Sequence, residues 1–208
     1  FQDSVFIHNS VNLGKDVKVG PNVYIGENCE IGDKTVIYPN STILKDVLIG
    51  QDCIVHPNSV LGSDGFGFAP EKESYQKIEQ LGGLEIGYNV EIGSGCTIER
   101  GAISNTIISD GVKLDNQIHI AHNVSLGSNS AIAACCAIAG STKIGKNFKM
   151  GGLSGVLGHL EICDDVTIGA HTLITKSIKS SGNYIGIMPA QNHMNWSKSA
   201  VFIKKRGK

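Results

Sequence analysis

The stretch from Val5 to Gly62, VFIHNSVNLGKDVKVGPNVYIGENCEIGDKTVIYPNSTILKDVLIGQDCIVHPNSVLG, carries an aliphatic residue at every sixth position: Ile7, Leu13, Val19, Ile25, Ile31, Ile37, Ile43, Ile49, Val55 and Leu61. A period of six fits neither an amphipathic helix nor a hairpin meander. It fits short strands joined by tight turns and stacked as the coils of a parallel solenoid. The register resumes at Ile86, Ile92 and Ile98, shifts by four residues, and runs from Ile108 to Ile174, for twenty-five hexads in all.

Glycine often follows the aliphatic residue, as at Gly14, Gly20, Gly26, Gly32, Gly50, Gly127 and Gly145. This position is expected to be a corner whose backbone conformation most residues resist. It also accounts for 26 glycines in 208 residues. Four positions after each aliphatic residue stands a small or β-branched one, such as Val17, Val23, Thr35, Ser41, Val124, Ser130 and Thr142. Both slots are expected to point into one narrow interior.

Composition narrows the function classes. The formal net charge is −1, with only 18% charged residues, so the electrostatic footprint of a dedicated nucleic-acid binder is missing. No stretch approaches the ~20 consecutive apolar residues of a membrane span, and no basic-then-apolar leader opens the chain; a soluble, cytoplasmic protein is the expectation. Four of the six cysteines, Cys29, Cys53, Cys96 and Cys136, fall in the small inward slot and read as buried structural thiols. With no CxxC pair, zinc-ribbon and thioredoxin-like readings fail, and a reducing compartment is the simpler one.

Two segments interrupt the register. Residues 62–85 form an excursion with its own aromatics, Phe66, Phe68 and Tyr75, long enough to be read as a functional loop. Residues 99–107, ERGAISNTI, read as a bulged corner. The chain divides into a solenoid domain over 1–178, with the insertion at 62–85, and a partly helical extension over 179–208 that ends in Lys204, Lys205, Arg206 and Lys208.

Among the seven histidines, register singles out two. Ile120 and Val156 are 36 residues apart, two coils if three hexads make one, so His122 and His159 share an outward edge, about 10 Å apart along the axis. His119 and His122 invite a zinc reading, but residues three apart on an extended strand face opposite sides, so no metal site is expected.

The repeat is that of the hexapeptide-repeat proteins, which implies an all-β, left-handed parallel β-helix with three hexads per triangular coil. Several segments together resemble the UDP-3-O-acylglucosamine N-acyltransferases (LpxD-type) of lipid A biosynthesis: GSDGFGFA at 62–69, IGYNVEIGSGCTIERGAISNTII at 86–108, LDNQIHIAHNVSLG at 114–127, IAGSTKIG at 138–145 and GGLSGVLGHLEICDDVTIGA at 151–170. The resemblance covers most of the chain. It implies transfer of a 3-hydroxyacyl group from acyl carrier protein to the 2-amine of a UDP-linked, 3-O-acylated glucosamine by a homotrimer, with no cofactor. It makes the IAHN histidine, His122, the general base and gives the GHLEIC histidine, His159, a supporting role.

The remaining candidates follow from chemistry. The Gly140 N–H is a candidate oxyanion donor. Asp115 and Asn116 orient the imidazole, line the site or cap a turn. Phe66 and Phe68 cover the acyl chain or the nucleotide, or form a small satellite core. Leu173 is a candidate apolar stop for the acyl chain. His119 stands where many family members have Gln, so acceptor contacts there differ. Members also carry an N-terminal uridine-binding domain, whereas the repeat here starts almost at Phe1, which leaves UDP recognition open. Two alternatives stand beside this reading: a coenzyme A-dependent sugar-nucleotide acyltransferase of the same fold, and a non-catalytic structural β-helix.

Overall fold

The computed structural model describes residues 4–186 and 189–206. Its strands, mostly two residues long, assemble into three parallel ladders of nine, eight and nine strands. Each strand pairs with the one eighteen residues on, Phe6 with Tyr24 and Ile7 with Ile25, so three hexads make one coil. The first face runs from Phe6–Ile7 to Leu173–Ile174, the second from Asn12–Leu13 to Glu161–Ile162, and the third from Lys18–Val19 to Gly182–Tyr184. The result is a left-handed parallel β-helix. Its last coil is trimmed on the second face to a single bridge, Ile162 to Ile178.

Both inward slots behave as the repeat requires. Ile25, Ile43, Leu61, Ile98, Ile120 and Ile138 are fully buried along one face alone. The small slots are buried too, and their hydroxyls are satisfied internally: Thr35 Oγ1 donates to the Gly50 carbonyl at 2.8 Å, Ser59 Oγ to Gly93 at 2.8 Å and Thr142 Oγ1 to Leu157 at 2.9 Å. Phe148 is the exception in size, a fully buried aromatic in a slot that elsewhere holds a smaller residue.

The corner glycines have a different cause from the one expected. Gly14, Gly32 and Gly127 do not have positive φ; the left-handed position lies two residues further on, at Asp16, Asn22, Asn28 and their successors in nearly every hexad. Asn and Asp tolerate that conformation well. What excludes a side chain after the aliphatic residue is the next coil: a Cβ on Gly32 would lie 2.5 Å from the Gln51 amide nitrogen, and one on Gly127 would lie 2.3 Å from the Gly145 carbonyl.

The first interruption contains an exposed antiparallel hairpin, Phe68–Glu71 with Ser74–Lys77, before the second face resumes at Leu84–Ile86. The first interruption opens on a bulge at Gly62, where the register slips between Leu61/Ile98 and Ser63/Glu99; the second carries the chain from Glu99 on the first face to Thr106 on the second. Past Ile178, Gly182–Tyr184 pairs with Val166–Ile168, and a helix spans His193–Arg206 with no buried residue among those described. Among the described residues no helix is long and apolar enough to cross a membrane.

The four slot cysteines are buried, whereas Cys135 is exposed. Burial pushes the thiols of Cys29, Cys53, Cys96 and Cys136 up from their ordinary value, which withholds the reactive thiolate. Iodoacetamide at pH 8 should therefore modify Cys135 first, Cys163 more slowly, and the other four only in denaturant. Mass mapping that found any of those four labelled in the native protein would contradict their placement.

Candidate active site

His122 lies two residues beyond Ile120, at the corner where the first face turns into the second. The next coil places Gly140 over it, with Ser141 N donating to the His122 carbonyl at 2.9 Å. A Cβ on Gly140 would lie 2.7 Å from both Cε1 and Nε2 of the imidazole. The long loop comes in from the other side: a Cβ on Gly65 would lie 2.7 Å from His122 Cβ and 2.8 Å from Cδ2. The ring is thus seated between two residues whose lack of a side chain makes the seat possible.

Its orientation follows from Asn123. The Asn123 Nδ2 donates to the Ser104 carbonyl at 2.8 Å and to Ser104 Oγ at 3.1 Å, while its Oδ1 accepts from the Ala102 N–H at 2.9 Å. With the carboxamide so fixed, the oxygen 3.1 Å from His122 Nδ1 can only accept. Nδ1 therefore carries the proton, and Nε2 keeps its lone pair.

Glu99 holds the backbone of the same residue. It is buried, and its Oε2 accepts the His122 N–H at 2.9 Å. Its Oε1 lies 3.7 Å from His119 Nε2, and the other nitrogen of that ring meets Thr97 Oγ1 at 2.8 Å. The loop root is anchored by Arg100, which is 3% exposed: Nε donates to the Gly82 carbonyl at 2.7 Å and Nη2 pairs with Asp46 at 3.1 Å. Burial of Asp46 raises its carboxyl, but hydrogen bonds from Asn28 and Arg100 outweigh that and hold it below the usual range. Its contribution to stability is accordingly present at neutral pH and lost only as the pH falls below the ordinary carboxylate value.

The other candidates divide. His159 is exposed on the same edge, at a left-handed corner whose N–H donates to the Gly140 carbonyl at 3.0 Å. Among the described residues the Gly140 N–H itself donates to no group of the chain. Asp115 and Asn116 are not brought to His122. They cap turns on the edge after the third face, Asp115 accepting from Asn116 N at 2.7 Å and Ala134 N at 3.1 Å, and Asn116 from Ser94 N at 2.8 Å. Phe66 and Phe68 form no satellite core: their rings are 5.2 Å apart and exposed, and it is the backbone at Gly65 that covers the histidine. Leu173 stands exposed at the end of an outward column on the first face that runs His119, Ala137, Gly155, Leu173.

Sequence reading missed Asn123, Glu99, Gln80 and Arg100. Asn123 and Glu99 had a usable signal. One directly follows the histidine, and the other opens the second interruption, where a residue need not serve the repeat.

Relatives of known name bear on this arrangement. A family model described as the GMPPB C-terminal domain matches residues 1–65. A UDP-3-O-acylglucosamine N-acyltransferase of Bordetella avium is 54% identical over 151 residues, covering 71% of this chain and 42% of the relative. One from a Janthinobacterium species is 45% identical over 191 residues, covering 92% and 51%. Among solved structures, the UDP-N-acetylglucosamine O-acyltransferase of Moraxella catarrhalis superposes with a TM-score of 0.80 at 25% identity, over 95% of this chain and 77% of that one. The chain spans about half the length of the relatives it matches in sequence. The resemblance carried by the motifs is borne out: homologues at 45–54% identity bear the N-acyltransferase name.

The Asn123 contact has a direct readout. Nitrogen-15 spectra recorded above pH 8 should show His122 as the Nδ1–H tautomer, and Asn123→Leu should release it to the Nε2–H form. A wild-type ring already protonated at Nε2 would contradict the assignment.

Proposed function

We propose that the chain is the β-helix part of a UDP-3-O-acylglucosamine N-acyltransferase of lipid A biosynthesis. It moves a 3-hydroxyacyl group from acyl carrier protein to the 2-amine of UDP-3-O-(3-hydroxyacyl)glucosamine, in the cytoplasm. The observation that carries this reading is His122: clamped between Gly65 and Gly140, tied through Nδ1 to Asn123, and left with a basic Nε2.

The chemistry fits that nitrogen. As the acceptor amine attacks the thioester carbonyl, its nitrogen electron pair forms the new N–C bond and the carbonyl π pair moves to oxygen. His122 Nε2 removes the proton the amine sheds. The developing oxyanion takes the Gly140 N–H, which has no partner within the described chain. When the C–S bond breaks, His122 returns the proton to sulfur. His159, two coils along the same edge, contacts the acceptor sugar.

The outward column His119, Ala137, Gly155, Leu173 gives the acyl chain a track. Ala137 and Gly155 leave a shallow trough, and Leu173, packed with its Cδ1 3.2 Å from where a Gly155 Cβ would sit, ends it. A single prism face has little concavity, so the site is completed by a neighbouring copy in a homotrimer. The groove of about 640 Å³ on the third face, which Asp115 and Asn116 help to line, is the surface such a neighbour would meet.

His122→Ala should lower kcat about 10²- to 10⁴-fold, the usual worth of a general base, with the thermal midpoint and oligomeric state unchanged. Turnover at the wild-type rate would remove His122 from the role of general base. Comparing acyl carrier protein with coenzyme A thioesters as donors separates this reading from its nearest alternative: a preference for the coenzyme A thioester would replace acyl carrier protein. Gly155→Met should shorten the preferred acyl chain by about four carbons, one coil spacing of ~4.8 Å, and an unchanged chain-length profile would move the track elsewhere.

A further inference from the structure

Gln80 borders His122, and the proposed mechanism gives it no role. It sits at the end of the long loop and is 6% exposed, and its Oε1 has no hydrogen-bond partner among the described residues. No other buried side-chain oxygen or nitrogen among the described residues is left in that state. The carboxamide is wedged into the GFG motif: its Nε2 donates to the Ile78 carbonyl at 3.1 Å and lies 2.8 Å from where a Cβ on Gly67 would sit. Its Oε1 lies 3.0 Å from where a Cβ on Gly65 would sit, and that same point is 2.8 Å from His122 Cδ2. The unpaired oxygen and the ring edge thus border one Cβ-sized space, and the two glycines of the motif are what make room for it.

A buried carbonyl without a partner is costly, and such a cost persists where the group acts on a charge that comes and goes. The only such charge beside this oxygen arises when Nε2 takes the amine proton and the imidazole becomes a cation, with its ring C–H groups polarised. We propose that Gln80 is a positioning residue for the reaction. Its carboxamide oxygen faces the Cδ2 edge of His122 and stabilises the imidazolium formed in the transition state, without touching either substrate. This rests on the reading of His122 as the base.

The test uses the full chain with two variants. Gln80→Met keeps the volume and removes the oxygen. Gln80→Glu keeps an oxygen acceptor and removes the donor to Ile78, so it controls for the loss of that bond. Gln80→Met should lower kcat about tenfold, the rate equivalent of about one hydrogen bond, with KM for donor and acceptor within twofold. Gln80→Glu should restore at least half of the wild-type kcat. In carbon-13 aromatic spectra the Cδ2 proton resonance of His122 should shift upfield in Gln80→Met and return in Gln80→Glu. An unchanged kcat in Gln80→Met overturns the proposal. So does an equal loss in both variants with a raised KM, which would mean that Gln80 only props the loop. If the wild-type chain transfers no acyl group, or His122→Ala still turns over, the base assignment fails instead. The His122 resonance then judges Gln80 alone: a shift in Gln80→Met keeps the contact, and no shift removes it.

Discussion

Every corner of this solenoid lies one strand spacing from the corner above and below it, and that close stacking constrains the rest of the molecule. Where the chain turns directly against the next coil's backbone, as at Gly32 and Gly127, a Cβ has no room. Where it must reverse, the left-handed position recurs, mostly as Asn or Asp. A functional side chain on such an edge has to displace something the repeat would otherwise put there. His122 does so because Gly140 gives up its side chain above the ring and an irregular segment replaces the regular coil below it.

The two interruptions of the hexad register converge there. The shorter one supplies Glu99, which takes the His122 backbone N–H, and the Ala102 and Ser104 groups that fix Asn123. The longer one supplies Gly65 and Gln80. Arg100 joins them, buried between the loop root at Gly82 and the coil corner at Asp46. The longer segment does not contribute its aromatics to the histidine. Phe66 and Phe68 face outward, on the loop's exposed side.

Much of the fold was legible because the repeat is strict. Inward slots such as Ile25, Ser59 and Cys96 were readable by counting, and all are buried. The reason for the corner glycines was not, because a period says which residues recur and not what they nearly touch; the clash lies with a residue eighteen or more positions away. His122 and Gly140 were legible through motif and register together. Asn123 and Glu99 were marked by position but not by role, since the role depends on how the second interruption folds back, which periodicity does not describe. Asp115 and Asn116 looked plausible by closeness in sequence, yet they sit on the neighbouring corner, with the first face of the prism between them and the imidazole. In a solenoid, neighbours along the chain soon part while residues one coil apart stay together.

The central claim is that His122 Nε2 and the Gly140 N–H face the carbonyl of a thioester whose chain lies along Ala137 and Gly155. The most direct measurement is a crystal structure with an acyl-phosphopantetheine thioester bound. The account predicts the thioester oxygen within hydrogen-bond distance of Gly140 N and the acyl chain ending at Leu173. A donor bound on another face, with its carbonyl remote from His122, would contradict it.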